Sequence, residues 1–242
     1  MEKQLEKLKA ENPWLKITSA DDCILEEDKS FFEREFGSVE EFVRLTNSIA
    51  PNPELTFSCL PDPFFGNPNS KVYCLNKNPG MPDMCFKEEG KYINAAIDNL
   101  HLNAKDCFWA EKIRNKCGKE HNGVDWLRKR VKKLHNILNG NPDIFFIEYF
   151  PYHSTTGFPF PENLPSYDFS NKLIDYAIDA NKIIIIMREK INWLRRIKRL
   201  AEYPRLYILK CPQGGYLTPG NIVRYENGKP LTEEEIKQDF KL

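Results

Sequence analysis

The sequence predicts a three-layer α/β fold, a mostly parallel sheet of four strands covered by helices on both faces. Three observations predict it. Four short apolar runs, at 72–75, 143–150, 182–187 and 206–209, carry the β-branched and aromatic residues of buried strands. Segments of helical period separate them, and right-handed crossovers then make the strands parallel. Three of the four loops that follow the strands, Lys77–Gly80, Glu148–Gly157 and Lys210–Asn221, are polar or aromatic-rich. Ligands of open α/β sheets sit outside the carboxyl ends of the strands, so convergence of these loops marks a candidate site.

The elements follow in order. Glu2–Asn12 reads as an exposed helix stopped by Pro13, and Ser30–Phe36 as another with Phe31, Phe32 and Phe36 inward. Ser38-Val39-Glu40-Glu41 has capping-box spacing and starts a helix to about Ile49. The first strand, Val72–Leu75, exits through Asn76-Lys77-Asn78-Pro79-Gly80, a forced turn. Gly90–Leu100 and Gly123–Asn139 are helices, with a short one expected over Asp106–Ile113. The 123–139 helix sets Val124, Leu127, Val131, Leu134 and Leu138 on one face and Arg128, Lys129, Arg130, Lys132 and Lys133 on the other. That basic face is either solvated or turned to phosphate. The 143–150 strand empties into a proline- and aromatic-rich loop, more in keeping with a lid or pocket wall than a connector. Helices are expected over Asp168–Asn181 and Glu189–Ala201, and a capping box, Thr232 to Glu235, opens a last one to Phe240. The chain is expected to form one domain over 1–242: a helical leader (1–60) packed on an α/β core (61–225), then a C-terminal helix (226–242).

Composition narrows the function classes. The chain has 242 residues, 41% hydrophobic and 29% charged, with a net charge of zero. Residues 1–60 hold 13 acids and 7 bases and the remainder 22 and 28, so a modestly basic body leaves room for a local anion-binding face. No run approaches the ~18 apolar residues of a membrane span, and the charged N-terminal run has no secretory apolar region; a cytoplasmic protein is expected. Seven cysteines without a C-x-x-C pair suggest free thiols. No phosphate-binding glycine loop, dinucleotide fingerprint or nucleophile elbow is present. The four histidines, His101, His121, His135 and His153, have no metal-ligand spacing. No metal and no cofactor are expected. Only His153 lies in a candidate loop, as a general acid or base or as a structural histidine.

Leu75-Asn76-Lys77-Asn78-Pro79-Gly80 resembles the first motif of the uracil-DNA glycosylase superfamily, above all its single-strand-selective branch, where a strand ends in Gly-x-Asn-Pro-Gly. Pro63-Phe64-Phe65-Gly66-Asn67-Pro68 is similar to the loop before that strand, and Phe145–Pro151 to the strand with the base-reading residue. Lys210-Cys211-Pro212 through Asn221 stands where the family's His-Pro-Ser-Pro motif belongs, with Cys-Pro in place of His-Pro. The resemblance spans roughly 61–221. It implies strand order 2-1-3-4 and a monomer that binds DNA, single- or double-stranded, or another nucleobase-containing ligand.

The reaction implied is hydrolysis of an N-glycosidic bond on a flipped or free base. Asn78 would position the attacking water and His153 would be the second catalytic group. Phe65, Pro79, Gly80, Glu148, Tyr149, Lys210, Tyr216, Leu217 and Asn221 would form the binding surface. The alternative is a non-catalytic nucleobase- or nucleic-acid-binding protein on the same fold, favoured by the missing His-Pro. Gly214-Gly215-Tyr216-Leu217 is either a wedge that fills the gap of a flipped base or a turn packed inward. Glu148 stands where uracil-processing relatives place asparagine. Ionised, it only accepts hydrogen bonds, which makes plain uracil a poor ligand and favours a guanine-type edge. Glu148 paired with Lys77 or Arg188, or an alignment shifted by one residue, are the other readings.

Overall fold

A computed structural model of the chain describes residues 2–49, 54–81, 90–111, 122–155 and 158–240. Its strands are β1 (Leu55–Thr56), β2 (Phe64–Phe65), β3 (Val72–Leu75), β4 (Ile144–Ile147), β5 (His153–Ser154), β6 (Ile183–Ile186), β7 (Leu206–Leu209) and β8 (Ile222–Arg224). The helices are α1 (Glu2–Ala10), α2 (Glu26–Phe36), α3 (Val39–Ile49), α4 (Gly90–Leu100), α5 (Asn122–Leu138), α6 (Tyr167–Asp179), α7 (Lys190–Arg196) and α8 (Glu233–Asp239).

The sheet is mixed and mostly parallel, in order β2-β4-β3-β6-β7-β8. The four expected strands form its parallel centre, β4-β3-β6-β7, in the order 2-1-3-4. The expectation of four strands is corrected to six, because antiparallel β2 and β8 extend the two edges. Residues 148–155 are likewise more than a loop, since β5 pairs with β1 in a separate two-stranded ribbon. Helix α2 starts four residues earlier than expected, and the single helix expected over 189–201 is α7 followed by a 3-10 turn, Lys198–Glu202. The expected helix over 106–113 lies partly outside the described residues.

Side-chain alternation fixes the layers. On β3, Tyr73 and Leu75 point to one core while Val72 and Cys74 point to the other, and β4 and β6 repeat the pattern in register. The first core is aromatic and receives Leu5, Trp14, Phe32 and Phe42 of the N-terminal segment together with α6 and α7. The second is mostly aliphatic and is covered by α5 and α8. Capping is as the sequence expects: Ser38 Oγ accepts from Glu41 N–H at 3.0 Å, and Thr232 with Glu235 forms a reciprocal box.

One buried cation fastens the amino edge of the sheet. Lys182, just before β6, donates through Nζ to the carbonyls of Asn69 (2.8 Å), Ser70 (2.7 Å) and, at 3.4 Å, Pro68. The rings of Tyr73 and Tyr176 flank it, each 5.3 Å away. Burial lowers its pKa to about 8.

Candidate functional site

At the opposite edge, where the parallel strands end, lies a cavity of about 550 Å³. The chain leaving β3 supplies Asn76, Lys77, Asn78, Pro79 and Gly80, and the chain leaving β4 supplies Glu148. Arg188 follows β6, and β5 contributes His153 and Ser154. Phe65, Tyr92, Phe108, Trp109 and Trp126 make the walls aromatic. Few convergent polar groups in an apolar, concave setting are what small-ligand sites present.

Asn78 is held by its nitrogen. Its Nδ2 donates to Ser154 Oγ at 2.9 Å, Pro79 O at 2.9 Å and Ser154 O at 3.2 Å. With the amide N–H groups consumed, the Oδ1 end faces away as an acceptor. The loop itself is pinned to the neighbouring strand, because Asn76 N–H donates to Ile147 O (2.8 Å) and Phe150 N–H to Lys77 O (2.9 Å). Phe65 is laid flat on Phe146, with centroids 4.4 Å apart and planes 9° apart. Its β2 partner register sets this stack, because Phe65 pairs directly with Phe146.

Glu148 is 3% exposed and Asn76 6%. Asn76 Nδ2 donates to Glu148 Oε1 at 2.9 Å, while Glu148 Oε2 and Asn76 Oδ1 have no partner among the described residues. Burial drives the Glu148 pKa up to about 8; the Asn76 hydrogen bond opposes this, Asp62 adds to it and Arg188 opposes it. Asp62, also lining the cavity, is raised to about 7 by desolvation. At neutral pH Glu148 is therefore mostly a carboxylic acid, able to donate as well as accept. The expectation of an ionised, acceptor-only Glu148 is corrected, and so is its pairing with Lys77, which bridges to Glu189 at 3.1 Å.

The other sequence-derived residues divide. Asn78, Pro79, Gly80, Phe65, Glu148 and His153 come together on the cavity wall. Tyr149, Lys210, Tyr216, Leu217 and Asn221 do not line it. His153 faces Gly80 O with Nδ1 (2.6 Å) and Leu60 O with Nε2 (2.9 Å), which ties two loops together. Tyr149 packs on Trp193 and under the Arg196 guanidinium. Leu217 is wholly buried in the second core and its N–H donates to Arg130 O at 3.0 Å, so it cannot be half of an exposed wedge. Tyr216 is 47% exposed. Lys210 N–H donates to Asn221 O at 2.8 Å, and the Asn221 side chain cross-braces the loop between Cys211 N–H and Tyr216 O.

Sequence reasoning missed Asp62; it named Arg188 only as a possible partner of Glu148 and Asn76 only as part of the first motif, and placed neither among the site residues. Among the described residues, no group of three or more His, Cys, Asp or Glu could hold a metal ion, and no helix is long and apolar enough to cross a membrane. No protein-family model, curated protein or solved structure matches the chain.

Proposed function

We propose that the cavity binds a nucleobase and that the protein hydrolyses an N-glycosidic bond in the manner of the uracil-DNA glycosylases its loops resemble. The observation that carries the reading is Asn78, anchored by its nitrogen at the end of β3 on the wall of an aromatic-lined cavity. Phe65, backed by Phe146, offers a flat wall for a base. An amide oxygen orients water but does not remove its proton, which suits dissociative cleavage, where the sugar cation forms before water adds. Neutral Glu148 supports the same reading, because a buried acid can donate to a base carbonyl as negative charge grows there. A carbonyl-bearing base is then acceptable at neutral pH and becomes disfavoured as Glu148 ionises above about pH 8.

A base-release assay over a panel of modified bases, in single and double strands, tests this. Release by the native protein, lost ~10²-fold or more in Asn78→Ala with the melting temperature nearly unchanged, is the expected result. Absence of both base release and nucleoside binding would overturn the proposal. The second reading, binding without hydrolysis, is favoured by one observation: the Cys211-Pro212 loop stays off the cavity wall, and Cys211 is exposed. Nucleoside binding without release selects it.

A further inference from the structure

Lys77, on the cavity wall, bridges to Glu189 at 3.1 Å, and Glu111, also on the wall, is held by Arg128. Arg188 and Arg130 are different, because among the described residues neither has a carboxylate partner. Arg188 lines the cavity and its one side-chain hydrogen bond runs from Nη2 to Gln213 O at 2.7 Å. Among the described residues Arg130 has no side-chain hydrogen-bond partner, its Nε being buried without one; its guanidinium lies 5.2 Å from the Trp126 ring centroid and 5.1 Å from that of Tyr216. Trp126 is itself a cavity wall.

The two guanidiniums share one turn. Gly215 sits at φ +63°, and a Cβ there would fall 3.3 Å from Arg130 Nε and 3.6 Å from Met187 Cε. Arg130 thus approaches the residue that precedes Arg188, while Arg188 grips the same turn two residues earlier. Burial lowers the Arg130 pKa, Tyr216 opposes this, and the charge of Arg188 lowers it further. Glu148, whose pKa the charge of Arg188 lowers, is kept largely neutral by burial and does not cancel that charge. Two partly desolvated, mutually repelling guanidiniums are relieved by an anion between them, and their planar forks fit phosphate oxygens.

Building on the nucleobase reading of the cavity, we propose that Arg188 and Arg130 form a phosphate clamp at its rim, so that the natural ligand is a phosphate ester of a nucleoside rather than a free base. The 210–221 loop then acts from outside the cavity, by placing the clamp and presenting Tyr216 beside it as a face for a neighbouring base. The phosphate comes either from a mononucleotide or from a strand.

Calorimetric titration of the full chain at low salt separates the cases. The probes are the four deoxynucleosides, their 5′-monophosphates, a single-stranded hexanucleotide and pyrophosphate, and the variants are Arg188→Gln and Arg130→Gln, each checked for an unchanged melting temperature, with Arg188→Lys as a milder form. The expected result is a nucleotide or hexanucleotide that binds ~10- to 100-fold tighter than its nucleoside, with that increment lost in both Gln variants and partly kept in Arg188→Lys. Tighter binding of the hexanucleotide than of any monophosphate identifies a strand as the source; the reverse identifies a free nucleotide. Equal affinity of nucleoside and nucleotide overturns the clamp and leaves the nucleobase reading standing. Arginine-dependent binding of pyrophosphate without any nucleoside binding keeps the clamp and overturns the nucleobase reading, and no binding of any probe overturns both.

Discussion

Each end of the sheet buries an ionisable side chain, Lys182 at one and Glu148 at the other, and the two are treated oppositely. At the amino edge Lys182 finds three carbonyls and two aromatic faces. At the carboxyl edge Glu148 finds a single amide, keeps one oxygen unpaired, and borders a cavity of about 550 Å³. Satisfied buried charge fastens a fold, whereas an unsatisfied buried group at a cavity is tolerated where a ligand completes it. The aromatic and aliphatic cores run the length of the sheet between these ends, so the contrast lies in polar bookkeeping and not in packing.

The largest expected effect tests the fastened end. Lys182→Ala strands the carbonyls of Asn69 and Ser70, while Pro68 O keeps its bond from the Tyr73 hydroxyl at 2.6 Å, and should cost ~2–3 kcal/mol of unfolding free energy at pH 7, measured by urea titration. A cost below ~1 kcal/mol would show that the amino edge is no better satisfied than the carboxyl edge.

Glu148→Gln comes next and sharpens the comparison through pH. The folded pKa of Glu148, about 8, lies above the ordinary value of 4.5, so its contribution to stability is complete below about pH 4.5 and is lost as pH rises through 8. Glutamine does not titrate and can still accept from Asn76. The variant should match the native protein near pH 5 and exceed it by ~2–3 kcal/mol at pH 9, with calorimetric melting as the readout. Lys182 has the opposite sign. Its folded pKa of about 8 lies below 10.5, so its contribution is present above about pH 10.5 and lost as pH falls through 8. Parallel pH profiles for Glu148→Gln and Lys182→Met, each against the native protein, would erase the distinction between the ends.

A smaller effect is expected from Gly66→Ala. Gly66 has φ +111°, and a Cβ there would lie 2.7 Å from Ile144 O, a backbone atom that cannot swing aside. About 2 kcal/mol should be lost, and β2, which carries Phe65, should show faster amide hydrogen exchange. Smallest of all, Lys77→Met removes a partly exposed bridge to Glu189 and should cost no more than ~1 kcal/mol by urea titration.

The parallel centre of the sheet was legible because β3, β4, β6 and β7 are continuous apolar runs, a local signal that burial on both faces requires. The two edge strands were not, since Phe64–Phe65 and Ile222–Arg224 are two and three residues long and gain strand character only from the neighbours they pair with. Within the cavity, Asn78, Pro79, Gly80 and Glu148 were legible as residues that immediately follow strands. Asp62 was not, because its place on the wall depends on a contact between its N–H and Pro151 O (2.9 Å) made far along the chain.

By itself, the sequence determined the strand and helix periods, the parallel direction of the central strands, and hence the edge on which the loops after them gather. Only the tertiary structure decided that Leu217 turns inward, that His153 ties loops together, that Arg188 and Arg130 share a turn, and that burial raises the Glu148 pKa. The physical reason is common to all four. Periodicity is a property of neighbours in sequence, whereas desolvation and charge proximity belong to groups brought together across the fold, and they acquire values only once the chain has closed around them.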